Sequence, residues 1–193
     1  MLLASVPSLR LELGFDDMTD INAAITAALN SAEPQLAVAL NTSFTRDEAT
    51  DTFWVRKPAI IEGKHHETEF WLRRGFLSAA PSVTGFPILD GSLVVNLEKG
   101  TVRDWTTYYR DATLVFSYTA GFAPDPSNAA SYNLTQVPSW LQEAAKLLAL
   151  ARLADSPPIT EAGIKIDVAT IKVQLDALLG RHTRYAPMAL YPL

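Results

Sequence analysis

The chain has 193 residues, of which 48% are hydrophobic and 19% are charged, a balance typical of a folded globular protein. Its net charge of -5 argues against a protein that binds nucleic acid by neutralising phosphates. The absence of cysteine excludes disulfides, thiolate catalysis and Cys-based metal sites. The length suits one domain, or one domain with an insertion.

The first fifteen residues are apolar, but they meet Pro7 and Arg10 early and lack a cationic start. They therefore do not predict a secretory signal. No stretch of about eighteen uninterrupted apolar residues occurs anywhere in the chain, so we expect no transmembrane span. These observations predict a soluble, intracellular protein without a membrane partner.

Residues 20–40 predict the first helix. Its start carries a cluster of capping residues, namely Asp16, Asp17, Thr19 and Asp20. One apolar stripe follows at helical spacing, made of Ile21, Ala24, Ile25, Ala28, Leu29, Ala32 and Leu36. Pro34 interrupts this stripe, so we expect a kink or two shorter helices. Helix capping is favoured over a calcium site for the Asp cluster, because alternating oxygen ligands around a central Gly are missing.

Residues 53–118 predict four to six short, turn-linked strands in a mainly antiparallel sheet. The expected strands are residues 53–55, 69–78, 93–97, 101–103 and 113–118. Glu98-Lys99-Gly100 predicts a hairpin turn, and residues 81–87 predict a further turn region. The doublet Arg73-Arg74 is interpreted as a solvated edge.

His65, His66, Glu67 and Glu69 are the residues that most suggest a metal site. Adjacent histidines on an extended chain point to opposite faces, and no His-Glu-x-x-His pattern is present. The third histidine, His182, lies far away near the C-terminus. A structural or solvated role is therefore favoured, and we expect no metal and no cofactor.

Val137-Pro138 leads into a second helix that reaches Leu153, with Ser139 and Gln142 as a candidate capping box. One apolar face is expected from Trp140, Ala144, Leu147, Leu148 and Ala151. A last helix is predicted from Val168, Ile171, Leu175, Leu178 and Leu179, with Gly180 as its C-cap.

A strand that ends in Tyr118-Thr-Ala-Gly-Phe122, followed by a variable loop, Val137-Pro138 and an apolar helix, resembles the head–tail connector (adaptor) proteins of tailed bacteriophages. The match is tightest over residues 118–122 and 137–153. It extends more loosely to the helix after Phe15 and to the last helix, whereas residues 70–102 match only in general character.

The resemblance implies an α+β fold, with an antiparallel helical bundle and an inserted small antiparallel β region. On this interpretation residues 1–193 form a single connector domain. Residues 16–41 and 137–185 supply the bundle, residues 50–122 supply the β insertion, and residues 185–193 form an apolar C-terminal tail.

The resemblance also implies the partners. The chain would form a homo-oligomeric ring, twelve-fold in this family, between the portal protein and a stopper or tail-completion protein. DNA would pass through without sequence-specific binding. The protein would belong to the virion neck and to the host cytoplasm during assembly. The family grips the portal with its C-terminal region, which assigns docking here to Arg184, Tyr185, Met188, Leu190, Tyr191 and Leu193.

An enzymatic role has little support in the sequence. There is no phosphate-binding glycine loop, no Gly-x-Ser-x-Gly elbow and no Cys/His pair, so no catalytic residue is assigned. The alternatives to a connector are another phage neck or tail-completion protein, or a non-catalytic oligomeric scaffold.

Overall fold

The computed structural model describes residues 1–15, 19–55, 68–85, 93–104 and 111–182. In these residues the helices are α1 (Val6–Glu12), α2 (Asn22–Ala39), α3 (Ser139–Leu153), α4 (Pro157–Glu161) and α5 (Val168–His182). The strands are β1 (Asp47–Val55), β2 (Thr68–Trp71), β3 (Ser82–Thr84), β4 (Leu93–Asn96), β5 (Thr101–Asp104), β6 (Ala112–Ala120), β7 (Pro124–Asp125) and β8 (Asn128–Tyr132). The described residues divide into two units, residues 1–41 with 122–182, and residues 42–121.

The first unit is organised around α3, which packs against α2 on one side and α5 on another. The apolar stripe of α2 is buried as its spacing predicts, through Ile25, Ala28, Leu29, Ala32 and Leu36. The buried positions of α3 are Leu141, Ala144, Ala145, Leu147, Ala149 and Leu153. By contrast, α5 buries only Ile171, so most of its surface remains open.

The hairpin of β7 and β8 also belongs to the first unit, and it holds the beginning of the chain. Leu2 donates its amide to the carbonyl of Ala130 at 2.9 Å and accepts from the amide of Tyr132 at 3.1 Å. The Tyr132 ring is fully buried, and its hydroxyl donates to Glu33 of α2. The unit therefore combines helices with a small sheet.

The second unit contains two three-stranded antiparallel sheets, with strand orders β1-β6-β3 and β2-β5-β4. In β6 every second residue is buried, from Ala112 through Leu114, Phe116 and Tyr118 to Ala120, as expected when one face of a strand covers a core. The β4–β5 pair is the hairpin that Glu98-Lys99-Gly100 predicts.

An aromatic cluster lies between these sheets. The rings of Phe53, Phe70 and Phe116 are all fully buried and lie 5.1–5.5 Å apart between centroids, in tilted and edge-to-face contacts. Val102, Leu114 and further apolar side chains complete this core. The second unit thus has a hydrophobic core of its own.

The expected fold class, an antiparallel helical bundle with an inserted small antiparallel β region, is wrong. The described strands form three antiparallel sheets, and one of these sheets lies among the helices of the first unit. The residues between 42 and 121 are not a minor excursion, because they build two sheets around an aromatic core. The protein is a mixed fold of five helices and three small sheets in its described part.

Several local predictions also need correction. Helix α2 is one helix through Pro34 rather than two shorter ones, and Ile21 at its N-cap makes no side-chain capping bond. Pro138 takes the N-cap of α3, and Gln142 donates to the carbonyls of Leu134 and Val137 instead of forming a capping box. Gly180 lies inside α5 and is not a C-cap.

The remaining corrections concern the strands. The expected strand over residues 69–78 ends at Trp71, and the expected turn region contains β3. The loop expected before Val137 contains the β7–β8 hairpin. Asp16 and Asp17 lie outside the described residues. None of the described helices has the length and apolar character needed to cross a membrane.

Candidate functional site

The residues assigned to portal docking, from Arg184 to Leu193, lie outside the described residues, as do His65, His66 and Glu67. In the described part of the chain, no three His, Asp or Glu side chains come together as a metal site would require. The structure does describe the residues that carry the family resemblance. It also shows a stacked contact between Trp140 and His182 and a groove at the β2-β5-β4 sheet.

Tyr118-Thr-Ala-Gly-Phe122 is the point at which the chain leaves the second unit. The hydroxyl of Tyr118 donates to Oδ2 of the buried Asp51 at 2.7 Å. The side chain of Ala120 is completely buried, and Phe122 packs its ring edge-on against Tyr132 in the first unit, with 6.0 Å between centroids. Each of these side chains is therefore used for packing or bonding within its unit.

Gly121 has a conformation that other residues rarely adopt. Its φ is +87°, and a Cβ at this position would lie 2.4 Å from the carbonyl oxygen of Thr45. Its amide donates to the carbonyl of Phe76 at 2.9 Å. Glycine is therefore required at position 121 for two reasons: its φ is positive, and the carbonyl oxygen of Thr45 leaves no room for a Cβ.

Asp51 also organises the chain after β2. Its Oδ2 accepts from the amide of Arg73 at 2.7 Å, and its Oδ1 lies 3.2 Å from Nε of the same residue. The guanidinium of Arg74 donates to the carbonyls of Ser43 and Thr45. The Arg73-Arg74 doublet was expected to be a solvated edge. Arg73 agrees with this expectation, because its side chain is 60% exposed even though it pairs with Asp51. The expectation is wrong for Arg74, whose side chain is only 15% exposed and donates to two backbone carbonyls.

Trp140, at the start of α3, stacks on His182, the last residue of α5. The ring centroids lie 3.9 Å apart and the planes differ by 10°. This contact ties the end of α5 to the start of α3, immediately before the residues assigned to docking. Trp140 was expected to belong to the apolar face of its helix, and the structure shows it half-buried at that contact.

A groove of about 690 Å³ lies on the outer side of the β2-β5-β4 sheet. Its lining residues are Glu69, Trp71, Val94, Val95, Asn96, Leu97, Lys99, Thr101 and Arg103. Nε of Arg103 lies 3.1 Å from Oε1 of Glu69 across the β2–β5 pair. Residues 93–97 were expected to form a strand, but nothing in the sequence indicated that side chains from three strands share a groove.

Two carboxylates at element boundaries have lowered pKa values. The side-chain and backbone donors of Ser127 lower the pKa of Asp125 in the β7–β8 turn. The hydroxyl and amide of Thr170 lower the pKa of Asp167, which precedes α5, and the Ala169 amide contributes less. Both carboxylates are exposed and hold turns or helix starts, so their shifts have a structural cause.

No family model matches the chain, and a comparison with curated proteins finds no match. Among solved structures, the chain is similar to one described as the neck of an empty GTA particle computed with C6 symmetry. The two chains share 15% sequence identity, the alignment covers 96% of this chain and 92% of that chain, and the TM-score is 0.47.

Proposed function

We propose that the protein is a non-catalytic structural component of a phage-like virion neck. In this role it forms a homo-oligomeric ring that joins the portal of the head to the tail and lets DNA pass. The observation that carries the proposal is the Tyr118–Phe122 motif. Its tyrosine, glycine and phenylalanine each have a specific structural role at the point where the chain passes from the second unit to the first.

The charge of the chain supports a conduit rather than a DNA-binding role. A wall that carries few unpaired cations does not hold phosphates, because affinity for DNA comes largely from Lys and Arg at the backbone. The net charge is -5, and Arg73, Arg74 and Arg103 are all engaged with acceptors in their own unit. These three arginines therefore bind acceptors within the second unit.

The portal contact is assigned to Arg184, Tyr185, Met188, Leu190, Tyr191 and Leu193, with a stopper or tail-completion protein on the opposite side of the ring. An apolar segment of this composition is costly in water and favours a partner, and its two prolines disfavour a continued helix. The Trp140–His182 stack fixes the end of α5 from which this segment leaves.

The proposal is tested by measuring mass in solution. Light scattering and electron microscopy of the full chain, alone and mixed with the portal from the same particle, should show a closed ring that copies the portal's symmetry. A ring that follows the symmetry of the tail would instead indicate a tail-completion protein. A chain that remains monomeric under both conditions would contradict the ring.

Deleting residues 186–193 tests the docking assignment. The shortened chain should keep its melting temperature and lose portal binding. Unfolding of the shortened chain, with portal binding retained by the folded fraction, would show that these residues belong to the core. Binding at full strength by a stable shortened chain would place the portal contact elsewhere.

A further inference from the structure

The groove on the β2-β5-β4 sheet contains a row of side chains that runs across all three strands. Thr101 of β5 pairs directly with Trp71 of β2 on one side and with Asn96 of β4 on the other. Directly opposite residues of antiparallel strands share a face, with their Cβ atoms about 4.5–5.5 Å apart. All three residues line the groove. They therefore form one continuous part of its wall.

Thr101 is the buried centre of this row. The residue is only 5% exposed, it lines the groove, and its hydroxyl makes no hydrogen bond within the part of the chain that the structure describes. A polar group that gives up most of its contact with water is costly unless it gains a partner. A hydrogen-bond acceptor that enters the groove would therefore supply a bond that the fold itself does not.

Two further donors lie next to Thr101. Oδ1 of Asn96 accepts the amide of Lys99 at 2.9 Å, which leaves the Nδ2 group of Asn96 as a donor. Lys99 belongs to the hairpin turn, lines the same groove, and has no ion pair among the described residues. A hydroxyl, an amide and an ammonium group are together well suited to bind a carboxylate, because bonds to an ionised acceptor are the stronger ones.

The charge of the lining fits a ligand with a single negative charge. The charged residues of the lining are Glu69, Lys99 and Arg103, and Nε of Arg103 already lies 3.1 Å from Oε1 of Glu69. One positive charge therefore remains, on Lys99. Nucleic acid would need several Lys or Arg side chains at its phosphates, and the carboxylate of Glu69 would repel them.

The groove also offers apolar surface. Val94 is 56% exposed and Leu97 is 42% exposed, and the Trp71 side chain adds an aromatic wall. The volume of about 690 Å³ lies within the range of about 300–1,000 Å³ that is usual for small-molecule sites. The ligand should therefore carry an apolar or aromatic part in addition to its carboxylate.

We infer that the groove binds an apolar or aromatic monocarboxylate. Thr101, Asn96 and Lys99 hold the carboxylate, and the apolar part of the ligand lies against Trp71 and Val94. A free acid presents this chemistry, and so does an acidic residue beside an aromatic one in a segment of a partner protein. The inference goes beyond the neck role and does not depend on it.

Titration of the full chain with phenylacetate tests the site. Calorimetry should show binding at about millimolar concentration, and NMR should show shifts of the Asn96 side-chain amide and the Thr101 backbone amide. The neutral isostere phenylacetamide should bind about tenfold more weakly, because it lacks the charge. Equal binding of the two compounds would overturn the recognition of a carboxylate, and the absence of phenylacetate binding would overturn the site. Tighter binding of a DNA duplex or inorganic phosphate would overturn the ligand class.

The peptide Ac-Phe-Glu-Phe-NH2 distinguishes the two sources of the carboxylate, with Ac-Phe-Gln-Phe-NH2 as its neutral control. Tighter binding of the acidic peptide than of phenylacetate would support the site and indicate a partner segment. Binding of phenylacetate without binding of the acidic peptide would support the site and indicate a free acid.

Thr101→Val and Lys99→Met test the residues. Each variant should weaken phenylacetate binding about tenfold or more, since each removes a bond to a charged group. Lys172→Met, at an exposed position on α5, is the matched control and should bind as wild type does. Thr101→Val should also keep its melting temperature, because valine suits a strand and no internal bond is lost. A clear fall in that temperature, or full-strength binding by both groove variants, would overturn the assignment.

Discussion

The hydroxyl of Tyr118 reaches Oδ2 of Asp51 at 2.7 Å, across the β1–β6 pair and inside the core of the second unit. The same oxygen accepts the amide of Arg73, so one carboxylate connects two strands and the chain that follows β2. Buried carboxylates in a core need such donors, because an unsatisfied one is costly. This network holds three separate segments of the unit together.

Replacing Tyr118 with Phe should therefore lower the free energy of unfolding by about 1–3 kcal/mol, the usual cost of losing a bond to a buried charged group. Urea denaturation followed by circular dichroism measures the change. Ser117→Ala is the control, since its exposed hydroxyl makes only a 3.5 Å contact with Thr50 and should cost less than about 0.5 kcal/mol. Equal effects in the two variants would show that the Asp51 bond contributes nothing.

Gly121→Ala should destabilise the protein strongly. The left-handed backbone alone costs about 1–2 kcal/mol for a residue with a Cβ, and the 2.4 Å approach to Thr45 adds a steric term. Gly14→Ala is the matched control, because φ there is +76° but no atom lies within 4 Å of the added Cβ. The melting temperature of Gly121→Ala should be well below that of Gly14→Ala. The reverse order would contradict the close approach of the added Cβ to the Thr45 carbonyl oxygen.

Gly180→Ala should raise stability, by about 0.5–1 kcal/mol. This glycine lies inside α5 with nothing within 4 Å of an added Cβ, and alanine is the better helix former. The melting temperature measures the gain. A loss of stability would show that the end of α5 depends on a glycine at this position.

Leu147→Ala should lower the free energy of unfolding by about 2–5 kcal/mol, because the side chain is buried in α3 and its removal leaves a cavity. Leu11 is 57% exposed, so Leu11→Ala should change stability by less than about 0.5 kcal/mol. Chemical denaturation of both variants makes the comparison. An unchanged midpoint for Leu147→Ala would remove this residue from the core.

Asp167 should make the stability of α5 depend on pH. Its carboxylate accepts from the amides of Ala169 and Thr170 and from the Thr170 hydroxyl, and these bonds lower its pKa. A lowered pKa in the folded state means that the stabilisation is present above the ordinary pKa of Asp and is lost as pH falls through the folded value. The gap in melting temperature between wild type and Asp167→Asn should therefore shrink on acidification. A constant gap would contradict this role.

The sequence predicts the elements that have strong periodicity or clear turns. The stripe of α2, the helix after Pro138 and the hairpin at Glu98-Lys99-Gly100 are found where expected, since their patterns depend on local geometry. Helix α1 was not expected, because its seven residues are too few to show a period. The β7–β8 hairpin was not expected because its residues are mostly Pro, Ser, Asn and Ala, which are weak strand formers.

The groove and the contacts of Arg73 could not be predicted from the sequence, because they depend on residues that are far apart along the chain. The groove combines residues from β2, β4 and β5, and the pairing order β2-β5-β4 cannot be deduced from strand spacing. The role of Arg73 depends on a buried partner 22 positions earlier in the chain. Long-range contacts of this kind are set by packing of the whole unit, not by neighbours along the chain.

The pairing of Asp47 with Ala120 places the entry and the exit of the second unit on adjacent strands. A segment whose two ends lie side by side can be removed or exchanged with only a short bridge across the gap. Residues 42–121 therefore enter and leave the rest of the chain at neighbouring positions, as an inserted domain does. Recombination at the start and the end of this segment would replace the whole second unit and leave the first unit continuous. The surface of the second unit would then diversify independently of the first unit.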